Sequence, residues 1–246
     1  MHLHRSLVVA PIAASLCLTT VSQGVTVNLG ALRDNTIYDD GAGELSNGRG
    51  TGLFAGRNGI SQTTRALLAF DIASVVPAGS TITSVSLRLV RGAGPSSTNT
   101  VSLFTMTSDW GEGTTVASGG GGGGGPATPN SATWLHNFYN SQFWTTPGGD
   151  FDPVSVASTD ITGNGAYTWS SPAMVADVQS WLNAGSTNFG WMLRGVEAGM
   201  GTANRFASRE STVSADRPIL TIEYIPTPGA AGLMAVGLCA FARRRR

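Results

Sequence analysis

The chain has 246 residues, 33 of them glycine, and only 12% of its side chains are charged. Every basic residue is arginine; one lies near the start and four close the chain, so the stretch between holds ten arginines against fifteen carboxylates. A mildly acidic unit without a basic stripe excludes nucleic acid as a partner.

Residues 1–24 open with Arg5, continue through an apolar stretch from Leu7 to Leu18, and end in small residues at Ser22 and Gly24. That order predicts a secretory signal cleaved after Gly24, the alternative being a buried N-terminal strand or helix. Cys17 and Cys239 lie in the two terminal segments, as do His2 and His4. A processed chain would keep no thiol and one histidine, His136, which excludes disulfides, a cysteine nucleophile and a His-rich metal site.

Asp34, Asp39, Asp40 and Glu44 come next, hard oxygen ligands close together in sequence. They predict either a structural Ca²⁺ site or aspartate-capped turns; no other cofactor is expected. Arg49, Arg57 and Arg65 follow, and would either face acidic sugar groups or form ordinary ion pairs. Residues 64–72 form an extended run, and residues 80–91 have period two, with Val85, Leu87 and Leu89 on one face. Pro77 to Gly79 supplies the turn between them. Residues 100–107 predict a further strand.

Gly119 to Gly125 is an unbroken glycine run, expected to be a flexible surface loop. The densest aromatic stretch follows: Trp134, His136, Phe138, Tyr139, Phe143 and Trp144, among Asn137, Asn140, Ser141 and Gln142. It predicts an exposed platform on which sugar rings stack, or rings that pin down a long loop. Strands are expected at 154–157, 166–169, 189–194, 205–209 and 219–224. One helix interrupts them: Ser171 caps it, Pro172 suits its first turn, Met174, Val175, Val178, Trp181 and Leu182 form one apolar face, and Gly185 ends it. Short strands at this spacing predict an all-β antiparallel sandwich with one short helix. No catalytic constellation is recognisable, and no Gly-x-Ser-x-Gly is present.

The tail from Pro226 reads Pro226-Thr-Pro228, an apolar run from Ala230 to Ala242, then Arg243, Arg244, Arg245 and Arg246. The apolar run is shorter than the roughly 20 residues of a full membrane span. This order resembles PEP-CTERM sorting signals, with Thr227 where their motif has Glu. That resemblance implies transient inner-membrane insertion and removal by a sorting protease, the alternative being a permanent anchor.

Between the ends, the order of several blocks resembles DNRLRE domains. Asp34 to Asp39 with Leu53 to Gly56 is similar to their opening. Arg65 to Ile72 and Pro77 to Leu87 match the next two blocks, and Asp109-Trp110 with Glu112 the one after. Val178 to Trp181, Asn188 to Leu193, Phe206 to Glu210 and Arg217 to Tyr224 match the close. The resemblance implies a jelly-roll-like β-sandwich over residues 25–225, grouped with carbohydrate-binding modules. It makes a polysaccharide the expected partner and the cell surface or extracellular space the expected location. A structural matrix protein without a sugar ligand is the rival reading; a polysaccharide hydrolase or lyase is a third. For glycan contact the expected residues are Trp134, His136, Tyr139, Phe143, Trp144 and Arg57.

Overall fold

The computed structural model describes residues 23–227. The expected signal up to residue 22 and the tail from Pro228 to Arg246 lie outside the described residues. In chain order the strands are β1 (Val25–Gly30), β2 (Arg33–Tyr38), β3 (Leu45–Ser46), β4 (Gly52–Arg57), β5 (Thr63–Ala69), β6 (Thr81–Ala93) and β7 (Asn99–Met106). Then come β8 (Gly125–Pro126), β9 (His136–Phe138), β10 (Gln142–Phe143), β11 (Phe151–Ile161) and β12 (Gly165–Ser170). The helix α1 (Pro172–Asn183) precedes β13 (Trp191–Arg194), β14 (Asn204–Ala207) and β15 (Ile219–Ile225).

Two antiparallel sheets face each other. In the first, β6 carries β15 and then β14 along one edge and β12 along the other; β1 lies outside β15, and β4 outside β14. The second runs β8-β3-β2-β5-β13-β7-β11. The end of β4 leaves the first sheet and pairs with β5, Gly56 opposite Thr64, so one strand ties the layers together. This is the expected all-β sandwich, with a single α-helix among the described residues. Its main core is the set of inward positions, among them Leu53, Ala55, Ala66, Leu68, Val85, Leu87, Leu89, Leu193, Phe206 and Ile222.

The period-two reading of residues 80–91 holds, with one slip. The register between β6 and β15 shifts at Glu223/Tyr224, so Ile82 and Val85 both face inward although three residues apart. Helix α1 also follows the sequence. Ser171 Oγ accepts from Met174 N at 3.0 Å, Pro172 opens the helix, and Met174, Val178 and Trp181 are buried. It ends at Asn183 with Ala184 as its cap, one residue before the expected stop at Gly185. Gln179 accepts from Ile82 N at 2.8 Å, and Asp177 accepts from the Trp191 indole at 2.7 Å, so α1 closes one end of the sandwich.

The long connection between β7 and β11 folds back over the outer face of the second sheet. There it builds a second core from Ile37, Leu67, Ala69, Met106 and Met192 on the sheet and Trp110, Ala132 and Trp144 on the connection. Asn35 Nδ2 donates to Ala132 O at 3.0 Å, and the Trp110 indole donates to Phe189 O at 2.8 Å. The glycine run belongs to this layer and corrects the expectation of a flexible loop. Tyr38 Oη donates to Gly121 O at 2.6 Å, Asn58 Nδ2 donates to Gly122 O at 2.9 Å, and Gly125 pairs with Ser46. A Cβ on Gly124, at φ +74°, would stand 2.9 Å from the Tyr38 ring. Glycine is required there by close packing and backbone conformation together.

Candidate functional site

The connection covers only part of the outer face of the second sheet. Strand register sets two adjacent rows of outward side chains. One runs Asn35, Leu67, Met192, Phe104; the other runs Ile37, Arg65, Arg194, Ser102, Ser158. The connection lies over the first row and over Ile37. It leaves Arg194, Ser102 and Ser158 at the surface and Arg65 at its margin.

At that margin, rings and guanidiniums interleave. The Arg65 guanidinium lies 4.7 Å from the Trp134 ring centre and 5.5 Å from that of Phe151. Arg194 lies 5.0 Å from Phe104 and 5.2 Å from Phe151, and the two phenylalanines meet edge to face at 5.4 Å. Glu197 binds both arginines: Arg65 Nε and Nη2 at 2.7 and 3.1 Å, Arg194 Nε and Nη2 at 3.1 and 3.0 Å. Burial works against ionisation of Glu197, yet the hydrogen bonds and charges of the two arginines outweigh it and hold its pKa below the ordinary value. The patch is therefore rigid, half-buried, and carries one net positive charge.

Phe151 also joins this patch to an open groove of about 450 Å³, lined by Thr107, Ser108, Thr145, Thr146, Asp150 and Pro153. The Asp150 carboxylate builds the groove. It accepts from Ser108 Oγ at 3.1 Å and from the Thr145 and Thr146 amides at 3.0 Å each. Flat apolar rings beside hydroxyls and fixed guanidinium donors suit a ligand with apolar C–H faces and many hydroxyls.

The structure places the expected ring platform differently. Trp144 is only 5% exposed, and its indole donates to Thr133 O at 2.9 Å. His136 is 8% exposed and bonded through Nδ1 to Thr133 Oγ1 at 3.1 Å. Neither offers a face, so both are corrected to loop anchors: the apolar outer face of the sheet draws them down. Tyr139 packs edge-on against His136 at 5.2 Å and remains half-buried. Phe143 is 67% exposed and stacks on His136 at 4.2 Å, at the β9–β10 hairpin whose turn holds Asn140 at φ +68°. Of the expected rings, Trp134 alone reaches the arginine patch.

The proposed calcium ligands are also corrected. Asp34 is the second residue of β2 and Asp39 follows its end, five residues and about 16 Å apart along an extended chain. Asp40 instead caps a turn, accepting from Gly43 N at 2.7 Å and Glu44 N at 3.1 Å. Among the described residues no group of three or more acidic or histidine side chains is placed to hold a metal ion. Asp34 joins a separate network. Its Oδ2 accepts from Arg209 N at 2.7 Å, while Arg209 grips both Glu112 oxygens at 2.7 and 2.9 Å. Arg49 lies 3.6 Å from Glu112 and 3.4 Å from Glu210, so it is an ion-pairing residue, as is Arg65. Arg57 has no carboxylate partner among the described residues and donates to Ser61 O at 3.0 Å.

Sequence reasoning missed Phe104, Phe151, Arg194 and Glu197. Their proximity comes from pairing across strands; Arg65 and Glu197 are 132 positions apart. A local signal existed only for Phe104 and Arg194, which sit in expected strands without a stated face. Compared with known proteins, the chain matches no family model and no curated protein.

Proposed function

We propose that this protein is an exported, non-catalytic glycan-binding module whose binding face is the Trp134–Phe151–Phe104 surface with Arg65 and Arg194. The carrying observation is the margin of the covering connection, where the half-buried rings of Trp134, Phe151 and Phe104 alternate with two guanidiniums held by Glu197, beside a hydroxyl-lined groove. A polysaccharide would stack its sugar faces on the rings and take hydrogen bonds from the threonine, serine and arginine groups.

The export reading draws support from the layout of the ends. Val25 pairs with Tyr224, so the signal ending at Gly24 and the tail beginning at Pro226 attach side by side. Cutting both would leave the sandwich intact, and a sorting protease acting at the membrane would release it.

The test is retention of the processed protein on a panel of neutral and acidic polysaccharides in affinity gels, followed by calorimetry. Retention on at least one polymer, weakened about tenfold or more by Trp134→Ala or Phe151→Ala, is expected. Failure to bind any polymer sinks the glycan reading. The second reading, a structural matrix component, is favoured by the burial of Trp144 and His136, whose rings build the domain. It predicts that loss of the gene alters the cell coat while the purified protein ignores sugars.

A further inference from the structure

The outermost strand of the first sheet is β1. Among the described residues it pairs with β15 alone, in an unbroken register over all six residues, so every second N–H and C=O along its other side is unpaired. Natural sheet edges are blunted by charged side chains, prolines, bulges or a covering segment. Val25-Thr-Val-Asn-Leu-Gly30 has no charge and no proline, and its register has no bulge. The other edges are covered or short. Strands β12 and β11 lean together, the Thr159 hydroxyl of β11 donating to Thr168 O on β12 at 2.8 Å. Strand β4 crosses to β5 and its Phe54 N donates to Thr36 Oγ1 at 3.1 Å, and β8 is two residues long.

An open groove of about 420 Å³ runs beside β1. Five consecutive residues, 28–32, form one wall and none of β15 does, which places the groove on the unpaired side of the strand. Asp71, Ser74 and Val75, from the connection between β5 and β6, form the wall opposite; Arg209 also lines the groove, with its charge taken by Glu112. Val25, Leu32 and Val75 are exposed apolar side chains. Val25 and Val27 stand in the same inward row as Leu29, opposite the buried Tyr224, Ile222 and Leu220 of β15. Neither valine is buried, because no strand flanks it on the other side.

We propose that β1 pairs with β1 of a second copy of this chain, antiparallel about a two-fold axis at Val27, joining the two first sheets into one. Opposite residues of antiparallel strands point to the same face. About Val27 the strand maps apolar onto apolar and polar onto polar: Val27 meets Val27 of the second copy, Val25 meets Leu29, and Thr26 meets Asn28. The paired strands bring no like charges together. Glu223, the charge beside β1 on β15, stays three strand spacings from its counterpart, about 14 Å, beyond the screening length of about 8 Å in physiological salt. With a leader cut after Gly24, the strand of the second copy begins at Val25, opposite Leu29, and its new ammonium enters the groove that Asp71 lines. A strand that starts where the processed chain starts, facing an acidic group on the groove wall, favours a second copy over an unrelated peptide. The ammonium contact rests on the export reading; the strand pairing does not.

The test uses residues 25–225, which contain both cores, so its outcome is separate from whether the cell makes the cut. Sedimentation equilibrium over a concentration series should show monomer and dimer in exchange. Val27→Lys, which sets two ammoniums face to face at the axis, should weaken the dimer about tenfold or more. Residues 25–225 hold no cysteine, so one introduced thiol reports the register. In Val27→Cys the two Cα atoms stand about 5 Å apart, within reach of a disulfide; in Val25→Cys they stand about 13 Å apart, out of reach. Under a mild oxidant Val27→Cys should cross-link at least about tenfold faster than Val25→Cys. A monomer at every concentration overturns the proposal, as does equal cross-linking by the two thiols or a dimer undiminished in Val27→Lys. Should Val27→Lys fail to fold, the cysteine pair decides alone.

Discussion

Replacing Asp34 by asparagine tests how the domain handles its most enclosed charge. Asp34 is fully buried at the start of β2. Its Oδ2 accepts from Arg209 N at 2.7 Å and its own amide donates to Glu112 Oε1 at 3.0 Å, but its buried Oδ1 has no partner. Burial raises its pKa well above the ordinary value; the Arg209 amide opposes this, and the nearby charges of Glu210 and Glu112 add to it. An acid with a raised folded pKa takes up a proton on folding at any pH between its unfolded value, about 3.9, and its folded one. Stability from this group is therefore full below about pH 4 and falls as pH rises, by up to about 1.4 kcal/mol per pH unit. Asparagine keeps an oxygen for the Arg209 amide and cannot ionise. In urea unfolding followed by tryptophan fluorescence from pH 4 to 8, the wild type should lose stability relative to Asp34→Asn as pH rises. At pH 7 the variant should match or exceed it. Parallel curves, or a variant weakened by more than about 2 kcal/mol at pH 7, would refute the reasoning, because either outcome means an ionised and well-paired Asp34.

The opposite sign is expected at Glu197, whose lowered pKa makes its contribution present above the unfolded value, about 4.3, and lost as pH falls. Glu197→Gln should cost about 1–2 kcal/mol at pH 7 and progressively less as pH falls below about 4.3, measured by the same titration series. Trp110→Ala removes a fully buried indole that bonds to Phe189 O and lies 4.4 Å under Arg33, and should cost about 3–5 kcal/mol. Protease should then cut first between β7 and β11, and cutting elsewhere would contradict the second core. Gly190→Ala puts a Cβ 2.0 Å from Leu68 O at φ +79°, so a loss of at least about 2 kcal/mol in thermal or urea unfolding is expected.

What the sequence made legible follows the range of the interaction. The alternation in β6 and the cap, proline and apolar face of α1 are encoded within a dozen residues, and both were readable there. Proximity along the chain misled at the aspartates, because Asp34 lies near the start of β2 and Asp39 just past its end, and the extended strand carries them apart. Composition misled at Gly119 to Gly125. Seven glycines in a row have no side chain to pack, but they also let other side chains approach, and Tyr38 and Phe54 do so. The patch of Arg65, Arg194, Glu197, Phe104 and Phe151 depends on the register of four strands, which no local window contains.

The burial of Trp144 had a signal in the sequence, but not in the aromatic stretch itself. Rings among asparagines and serines fit a platform or an anchor equally well. The deciding residues lie on β5 and just past its end, where Ala66, Leu67, Leu68, Ala69 and Phe70 are apolar without alternation. A strand wet on one face alternates; a strand covered on both faces does not. Leu68 faces the core between the sheets while Leu67 and Ala69 face outward, as does Met192 beside Trp191 and Leu193 on β13. A two-layer sandwich would leave those outward positions in water, so residues 66–70 already demanded a third layer. The connection from β7 to β11 is the stretch long and aromatic enough to supply it. Its rings are drawn inward wherever the sheet beneath is apolar. Trp134 stays half-buried where the next row turns to Arg65 and Arg194, and Phe143 stays exposed at the tip of the β9–β10 hairpin, beyond the apolar row.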